Sequence, residues 1–240
     1  MSEATRGLFV TGTDTGVGKT FVGCALLQHW RERGLAPQPR KPVESGCPEH
    51  AGALFPEDGA ALTRAAGLPD MAMAQVTPWR FPDAIAPDQA AANQGVQLNL
   101  AQLVAACTGA GAGTDTRPLL VEGAGGFYSP LCADGLNADL ATRLGLPVLL
   151  VAEDRLGTLN TCLLTLEALQ RRGLQLAGIV LNRRRSDIDP RLDNHGALRK
   201  HTAAPIITAA EGISRAALVQ KLSTSKLSGP TGATGTAPNA

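Results

Sequence analysis

A glycine-rich stretch near the N-terminus has the residue types of a phosphate-binding loop, or P-loop. Residues 12–20 read GTDTGVGKT. Small residues let backbone N–H groups point at phosphate oxygens, a lysine neutralises the outer phosphates, and a hydroxyl contacts magnesium. Lys19 and Thr20 would take the last two roles. Five residues separate Gly12 from Gly18, one more than in the usual pattern, so an ordinary glycine-rich turn is the alternative.

A lysine and a carboxylate with possible catalytic roles follow later in the chain. Lys41 opens the segment KPVESG, and beside a P-loop it could stabilise a transferring phosphoryl group or a carbamate; the alternative is a solvated lysine before a turn. Glu122 ends the apolar segment PLLVE and precedes the glycine-rich GAGG. That is the position of a second magnesium carboxylate in P-loop enzymes, although a carboxylate that caps a turn is also possible.

Other polar positions have structural explanations beside functional ones. Asp58 is predicted as the N-cap of a helix. Asn182 follows an apolar segment and would either hydrogen-bond a base edge or begin a turn. Arg183-Arg184-Arg185 could bind an anionic ligand, but a solvated charge cluster is the favoured interpretation.

These residues lie at the ends of alternating predicted strands and helices. Short apolar segments predict strands at residues 7–12, 118–122, 147–152, 176–182 and 206–208. Helical spacing of apolar residues, often with a glycine after the last turn, predicts helices at 20–33, 58–66, 136–144 and 159–172. The alternation predicts an α/β fold, a single doubly wound domain with a mainly parallel sheet, of the P-loop NTPase type. Ligands of such sheets bind at the carboxyl ends of the strands.

Composition predicts one domain over residues 1–223 and a disordered tail over 224–240, which has almost no large apolar side chains. The 240 residues are 44% hydrophobic and carry a net charge of +1, a balance that favours neither nucleic acid nor an anionic membrane as a partner. No apolar run is long enough for a membrane span or a signal peptide, so a cytoplasmic location is expected. Five cysteines without a CxxC spacing predict free thiols.

The motifs GTDTGVGKT, KPVESG, VEGAGG, LGTLNTCLLT and GIVLN occur in this order between about residue 7 and about residue 183. Together they resemble the dethiobiotin synthetase family. The resemblance implies a homodimer that uses ATP and Mg²⁺ to close a ring from diaminopelargonic acid and carbon dioxide. The reaction would pass through a carbamate and a carbamic-phosphoric anhydride to dethiobiotin, ADP and phosphate.

The resemblance also implies roles for individual residues. Lys41 and Lys19 would be catalytic. The nucleotide would be bound by Gly16, Val17, Gly18, Lys19, Thr20, Asp58, Glu122, Gly123, Ala124, Gly125 and Asn182. Magnesium would be held by Thr20, Asp58 and Glu122. The diamine or its carbamate would be bound by Thr15, Lys41 and Ser45, with Gly157 and Asn160 at its far end across the dimer interface.

Some positions depart from the family pattern. Gly16 stands where the family commonly has glutamate, and Thr161 stands where it has histidine. The family's SPHxAA segment is APDQAA here, with Asp88 at the histidine position, and PIITA at 205–209 replaces a GxIP-like segment.

Other function classes fit parts of the sequence. A regulatory ATPase of the partitioning or septum-site type would share the P-loop, but residues 13–15 lack the additional lysine of its KGGxGK motif. A related ATP-dependent ligase that acts on another small substrate is the remaining alternative, because a fold does not determine the substrate.

Overall fold

The computed structural model describes residues 7–109, 117–184, 189–210, 212–213, 217–218 and 220–221. Its strands are β1 (Gly7–Gly12), β2 (Gln38–Arg40), β3 (Val43–Ser45), β4 (Glu49–His50), β5 (Ala53–Leu54), β6 (Trp79–Phe81), β7 (Leu119–Gly126), β8 (Pro130–Cys132), β9 (Gly135–Leu136), β10 (Val148–Glu153), β11 (Leu176–Asn182) and β12 (Ile206–Ala209). Its α-helices are α1 (Lys19–Glu32), α2 (Glu57–Ala65), α3 (Met73–Val76), α4 (Pro87–Asn93), α5 (Leu100–Thr108), α6 (Asn137–Leu144), α7 (Thr158–Arg171) and α8 (Asn194–Leu198). A 3₁₀ turn precedes α3 at Asp70–Ala72.

A parallel sheet of six strands forms the centre of the molecule, in the order β12-β11-β10-β1-β7-β2. Strand β1 lies inside the sheet, where Val10 pairs with Glu122 of β7 and Gly12 pairs with Val151 of β10. The carboxyl ends of β1, β7 and β11 therefore meet at one edge, and the P-loop leaves the sheet at this edge.

Helices cover both faces of the sheet, and β1 shows why. Leu8 and Val10 point into one core with α1 and α2, whereas Phe9 points into the opposite core with α5, α6 and α7. Successive side chains of a strand point to opposite faces, so a strand buried on both faces is mainly apolar. The predicted doubly wound α/β architecture is confirmed.

Two details of the sequence-based prediction are wrong. The strand predicted at 118–122 runs on to Gly126, because the glycine-rich segment continues the pairing with β1, so Glu122 lies within the strand. Asp58 is not the N-cap of its helix: Pro56 holds that position and Asp58 lies in the first turn. The other predicted helices and strands agree with the structure to within about two residues at their ends.

The sequence pattern did not predict the small elements between β2 and β7. They include α4, α5, the parallel pair β3-β6 and the hairpin β4-β5. Among the described residues, no helix is long and apolar enough to cross a membrane. All five cysteines are buried, and none forms a disulfide within the described part of the chain. The predicted tail, residues 224–240, lies outside the described part of the chain.

Candidate active site

The P-loop connects β1 to α1 through two residues in the left-handed conformation, Gly16 at φ 74° and Gly18 at φ 98°. A Cβ atom on Gly18 would lie 2.2 Å from Nδ2 of Asn182. That amide nitrogen donates a hydrogen bond of 2.9 Å to the carbonyl of Val17. Glycine at position 18 therefore allows both the turn and the close contact with the end of β11.

Lys19 begins α1 and is 6% exposed. Its Nζ donates to the backbone carbonyl of Asp14 over 2.9 Å, across the loop. Burial and the positive charge of Lys41 lower the pKa of Lys19 to about 8, against the opposing effect of Glu122. Lys19 thus lies inside the loop with few anionic groups around it. Its ammonium is therefore available to bind phosphate oxygens.

Lys41, directly after β2, joins two carboxylates from distant parts of the chain. Its Nζ lies 2.8 Å from Oδ2 of Asp58 and 2.8 Å from Oε1 of Glu122. The same Oε1 accepts a 2.8 Å hydrogen bond from the hydroxyl of Thr20. Burial works to lower the pKa of Lys41, but the carboxylates of Glu122, Asp58 and Glu44 outweigh it and hold that pKa above its ordinary value. The ammonium therefore stays charged.

Glu44 positions Asp58 and is a functional residue that sequence reasoning missed. Its Oε1 and Oε2 accept hydrogen bonds from the backbone N–H groups of Asp58 and Gly59, at 3.0 and 2.9 Å. The first turn of α2 is thereby capped by a side chain from β3. Burial raises the pKa of Glu44, although Lys41 opposes this. Its place inside KPVESG was the available signal.

Asn137, at the start of α6, shapes the glycine-rich end of β7 and was also missed. Its Oδ1 accepts from the N–H of Ala124 at 3.0 Å, and its Nδ2 donates to the carbonyls of Ala124 and Gly126. A Cβ on Gly123 would lie 2.5 Å from Asn137 Oδ1. The side chain is buried, so these bonds fix the backbone of residues 123–126 beside the P-loop.

A cleft of about 860 Å³ opens above these groups. Most of the predicted phosphate and diamine residues line it: Thr15, Gly16, Gly18, Lys19, Thr20, Lys41, Ser45, Asp58, Ala124, Gly125 and Asn182. Val17, Gly123 and Glu122 lie beneath its surface, with Glu122 reaching the cleft through Thr20 and Lys41. Gly157 and Asn160 lie elsewhere, at the exposed N-terminal end of α7.

The end of the cleft away from the P-loop is built from loops. The hydroxyl of Ser45 donates to the carbonyl of Ile85 over 2.7 Å. The side chain of Ile85 is 42% exposed. Cys47 lies nearby and is buried. Burial together with Glu44 raises its pKa to about 11, so its thiol is expected to be unreactive.

The oxygens of Thr20, Asp58 and Glu122 suit a hard cation. Asp58 and Glu122 contact the Lys41 ammonium and Thr20 donates to Glu122, while Oε2 of Glu122 is buried without a hydrogen-bond partner among the described residues. Within the described ranges, no group of three or more His, Cys, Asp or Glu side chains could hold a metal.

Sequence comparisons with known proteins agree with an ATP-binding role for this site. A family model described as an AAA domain matches residues 6–215. The ATP-dependent dethiobiotin synthetase BioD of Anaeromyxobacter dehalogenans is 48% identical over 185 residues, which cover 77% of this chain and 80% of that protein. The protein of the same name from Aromatoleum aromaticum is 43% identical over 206 residues, covering 84% of this chain and 88% of that protein.

Comparison of structures gives the same fold. The septum site-determining protein MinD of Pyrococcus horikoshii is similar, with a TM-score of 0.52 at 16% identity over 90% of this chain and 85% of that chain. At that identity, the likeness shows the P-loop NTPase fold alone.

Proposed function

The chain belongs to the AAA-domain family and, within it, to the ATP-dependent dethiobiotin synthetases, and on that premise we propose how its cleft carries out the reaction. The enzyme is an ATP-dependent ligase. Its substrates are diaminopelargonic acid, carbon dioxide and ATP, and its products are dethiobiotin, ADP and phosphate. The observation that carries the proposal is the cluster of Lys41, Asp58, Glu122 and Thr20 beside the P-loop lysine.

The first steps form and phosphorylate a carbamate. One amine of the substrate bonds to the carbon of carbon dioxide and loses a proton, which leaves a carbamate anion. A carbamate oxygen then attacks the terminal phosphorus of ATP, and ADP departs. Negative charge is concentrated on the carbamate and on the phosphoryl oxygens during these steps. Lys41 and Lys19 are the cations that stabilise this charge, because both are buried and point at the same end of the cleft.

The last step closes the ring. The second amine attacks the carbonyl carbon of the carbamic-phosphoric anhydride and a C–N bond forms, and phosphate leaves with the electrons of the broken C–O bond and takes up the proton that the amine releases. No side chain needs to form a covalent bond with the substrate. The contribution of the protein is therefore to hold the amines, the carbamate and the phosphates in line and to exclude water.

Magnesium would be held by Thr20, Asp58 and Glu122 together with phosphate oxygens. It would supply charge stabilisation on the phosphates. Both carboxylates hold the ammonium of Lys41 at 2.8 Å, and this places the charge at the end of the cleft where the carbamate and the phosphates would lie.

A homodimer would complete the far end of the substrate site. Leu164 of α7 and Tyr128, near the end of β7, are 59% and 50% exposed and line a second cavity of about 710 Å³. Leu156, beside Gly157, is 82% exposed. A second protomer would cover these apolar side chains and bring its Gly157 and Asn160 to the cleft. Five free, buried cysteines support a reducing compartment such as the cytoplasm.

The test is phosphate release from Mg·ATP with and without diaminopelargonic acid and bicarbonate, with dethiobiotin identified by mass spectrometry. The diamine should stimulate release, and Lys41→Met should lower the stimulated rate by about 100- to 1000-fold, as expected when a charge-stabilising group is lost. Lys200→Met, which changes an exposed lysine, should leave the rate unchanged. Phosphate release at the same rate with and without the diamine would refute the proposal and favour a regulatory ATPase or a ligase for another substrate.

A further inference from the structure

Arg184 lies across the outer side of the P-loop. Its Nη1 donates to the carbonyl oxygen of Gly16. Both residues line the same cleft as Lys19 and Thr20. The guanidinium is therefore at the mouth of the phosphate site, although Arg184 belongs to the segment after β11 and to none of the P-loop positions.

The backbone that leads to Arg184 is fixed by its neighbours. Asn182 is bonded to the Val17 carbonyl of the P-loop. The N–H of Arg183 donates to the carbonyl of Ala209 over 2.8 Å, and the Arg183 guanidinium lies 2.8 Å from Oδ2 of Asp154. The two arginines thus have different roles: Arg183 ties β11 to β10 and β12, and this anchoring directs Arg184 toward the P-loop.

The charge of Arg184 differs from the charges of the two lysines deeper in the cleft in how neighbouring groups balance it and in how it depends on pH. The ammonium of Lys41 is balanced by Asp58 and Glu122. The charged form of Lys19 is less stable than that of a solvated lysine, because burial and Lys41 lower its pKa to about 8. A guanidinium remains protonated under all ordinary conditions and has five N–H donors. With one donor on Gly16, others are available for an anion.

From this geometry we propose that Arg184 binds the phosphate chain of the nucleotide at the mouth of the cleft. This inference rests on the proposed use of ATP by the site. The bare backbone of Gly16, whose Cβ would lie 3.8 Å from Arg184 Nη1, leaves the guanidinium facing the loop. A nucleotide with at least two phosphates extends along the loop, and the guanidinium binds its oxygens in a paired geometry. Arg184 thereby adds to the preference of the P-loop for di- and triphosphates over the nucleoside.

Binding measurements with Arg184→Gln and Arg184→Lys test the assignment. Glutamine keeps an N–H donor for the Gly16 carbonyl but removes the charge. Arg191→Gln is the control, because Arg191 is an exposed arginine that pairs with Asp189 at the surface. Dissociation constants for ATP and ADP with Mg²⁺, and for adenosine, are measured by calorimetry or by competition with a fluorescent nucleotide. Thermal unfolding verifies that each variant is folded.

The expected result is a loss of about tenfold in affinity for ATP and ADP with Arg184→Gln, the usual size of one partly exposed charge-assisted contact. The affinity of Arg184→Gln for adenosine should stay within about twofold of the wild-type value, and Arg184→Lys should recover part of the lost affinity for ATP and ADP. Arg191→Gln should bind all three ligands as the wild-type protein does. In turnover, KM for ATP should rise while kcat stays constant.

Two results would overturn the inference. Equal losses for ATP and adenosine would show that Arg184 merely holds the loop, and unchanged affinities would show that it stays on the Gly16 carbonyl. If the unchanged protein itself fails to bind Mg·ATP, the proposed function fails as well, so the two failures are distinguishable.

Discussion

The two ends of the cleft are built in different ways. At the nucleotide end, the candidate side chains come from β7, from the residue after β2, from the end of β11 and from the first turns of α1 and α2, and hydrogen bonds join them to one another or to the P-loop backbone. At the diamine end, Ser45 and Ile85 meet through a single hydrogen bond between loops, and Gly157 and Asn160 lie on another part of the surface. Phosphate chemistry is thus prepared within one chain, whereas recognition of the organic substrate depends on loops and, as proposed, on a second chain.

The largest effect is expected from Lys41, whose ammonium contacts both carboxylates at the nucleotide end. With ADP bound, Lys41→Met should raise the affinity for Mn²⁺ by about 100-fold, because an ammonium in contact with both carboxylates no longer competes with the metal. The free energy of unfolding without metal should fall by about 3 kcal/mol, because Glu122 is left buried and unpaired. Electron paramagnetic resonance of free Mn²⁺ and chemical denaturation measure the two effects.

The control for this experiment is Lys200→Met, which removes an exposed lysine and should change neither quantity. An unchanged Mn²⁺ affinity in Lys41→Met would contradict the proposed metal ligands. It would also remove the contrast between a preformed nucleotide end and an incomplete diamine end.

A smaller effect is expected at the face that should complete the diamine end. Leu164→Glu should weaken self-association by about 30-fold, the equivalent of about 2 kcal/mol of lost apolar burial. Affinity for Mg·ATP should be retained, while KM for the diamine rises. Sedimentation equilibrium and steady-state kinetics measure these quantities.

Met71→Glu is the matched control for that prediction, since Met71 is 84% exposed and lies in the 3₁₀ turn before α3. A Leu164→Glu variant that associates and turns over normally would show that α7 is not the interface. The comparison between the two ends would then need another source for the missing contacts.

The smallest effect concerns the pH dependence of nucleotide binding. With its pKa lowered to about 8 by burial and by Lys41, Lys19 loses its positive charge as the pH rises. Bound phosphates favour the charged form, so affinity for Mg·ATP should be constant below about pH 8 and fall by up to tenfold between about pH 8 and about pH 9. The raised pKa of Lys41 and the pKa of about 11 for Cys47 keep both groups out of this range.

Calorimetry across this range provides the measurement, and Lys19→Arg provides the control. An arginine keeps its charge throughout, so the affinity of that variant should not depend on pH. The same dependence in both proteins would mean that another group titrates.

The sequence predicted the nucleotide end better than the diamine end for a physical reason. Buried strands and glycine turns impose strict residue types, so the P-loop and Glu122 could be located from local pattern, whereas the role of Lys41 was implied by the family resemblance. Glu44 and Asn137 were missed because their partners are backbone groups, which no side-chain pattern reveals. Asp58 was given a capping role because the helix start was evident, but the capping carboxylate comes from β3.

The loops between β2 and β7 could not be predicted for a related reason. Helices such as α4 and α5 have few residues, and the parallel pair β3-β6 is held by contacts between distant segments. No residue pattern predicted that Ser45 would contact Ile85. The roles predicted for Thr15, Ser45, Gly157 and Asn160 remain predictions.

The hydrogen bond between Asn182 and Val17 has a consequence for biosynthesis. It joins residues 165 positions apart, and the bond from Thr20 to Glu122 spans 102. During translation the P-loop emerges before Glu122 and Asn182, the residues that support it. Contacts of such separation are costly to form early in folding. The growing chain therefore acquires its nucleotide site at a late stage, when the sheet from β1 to β11 has assembled.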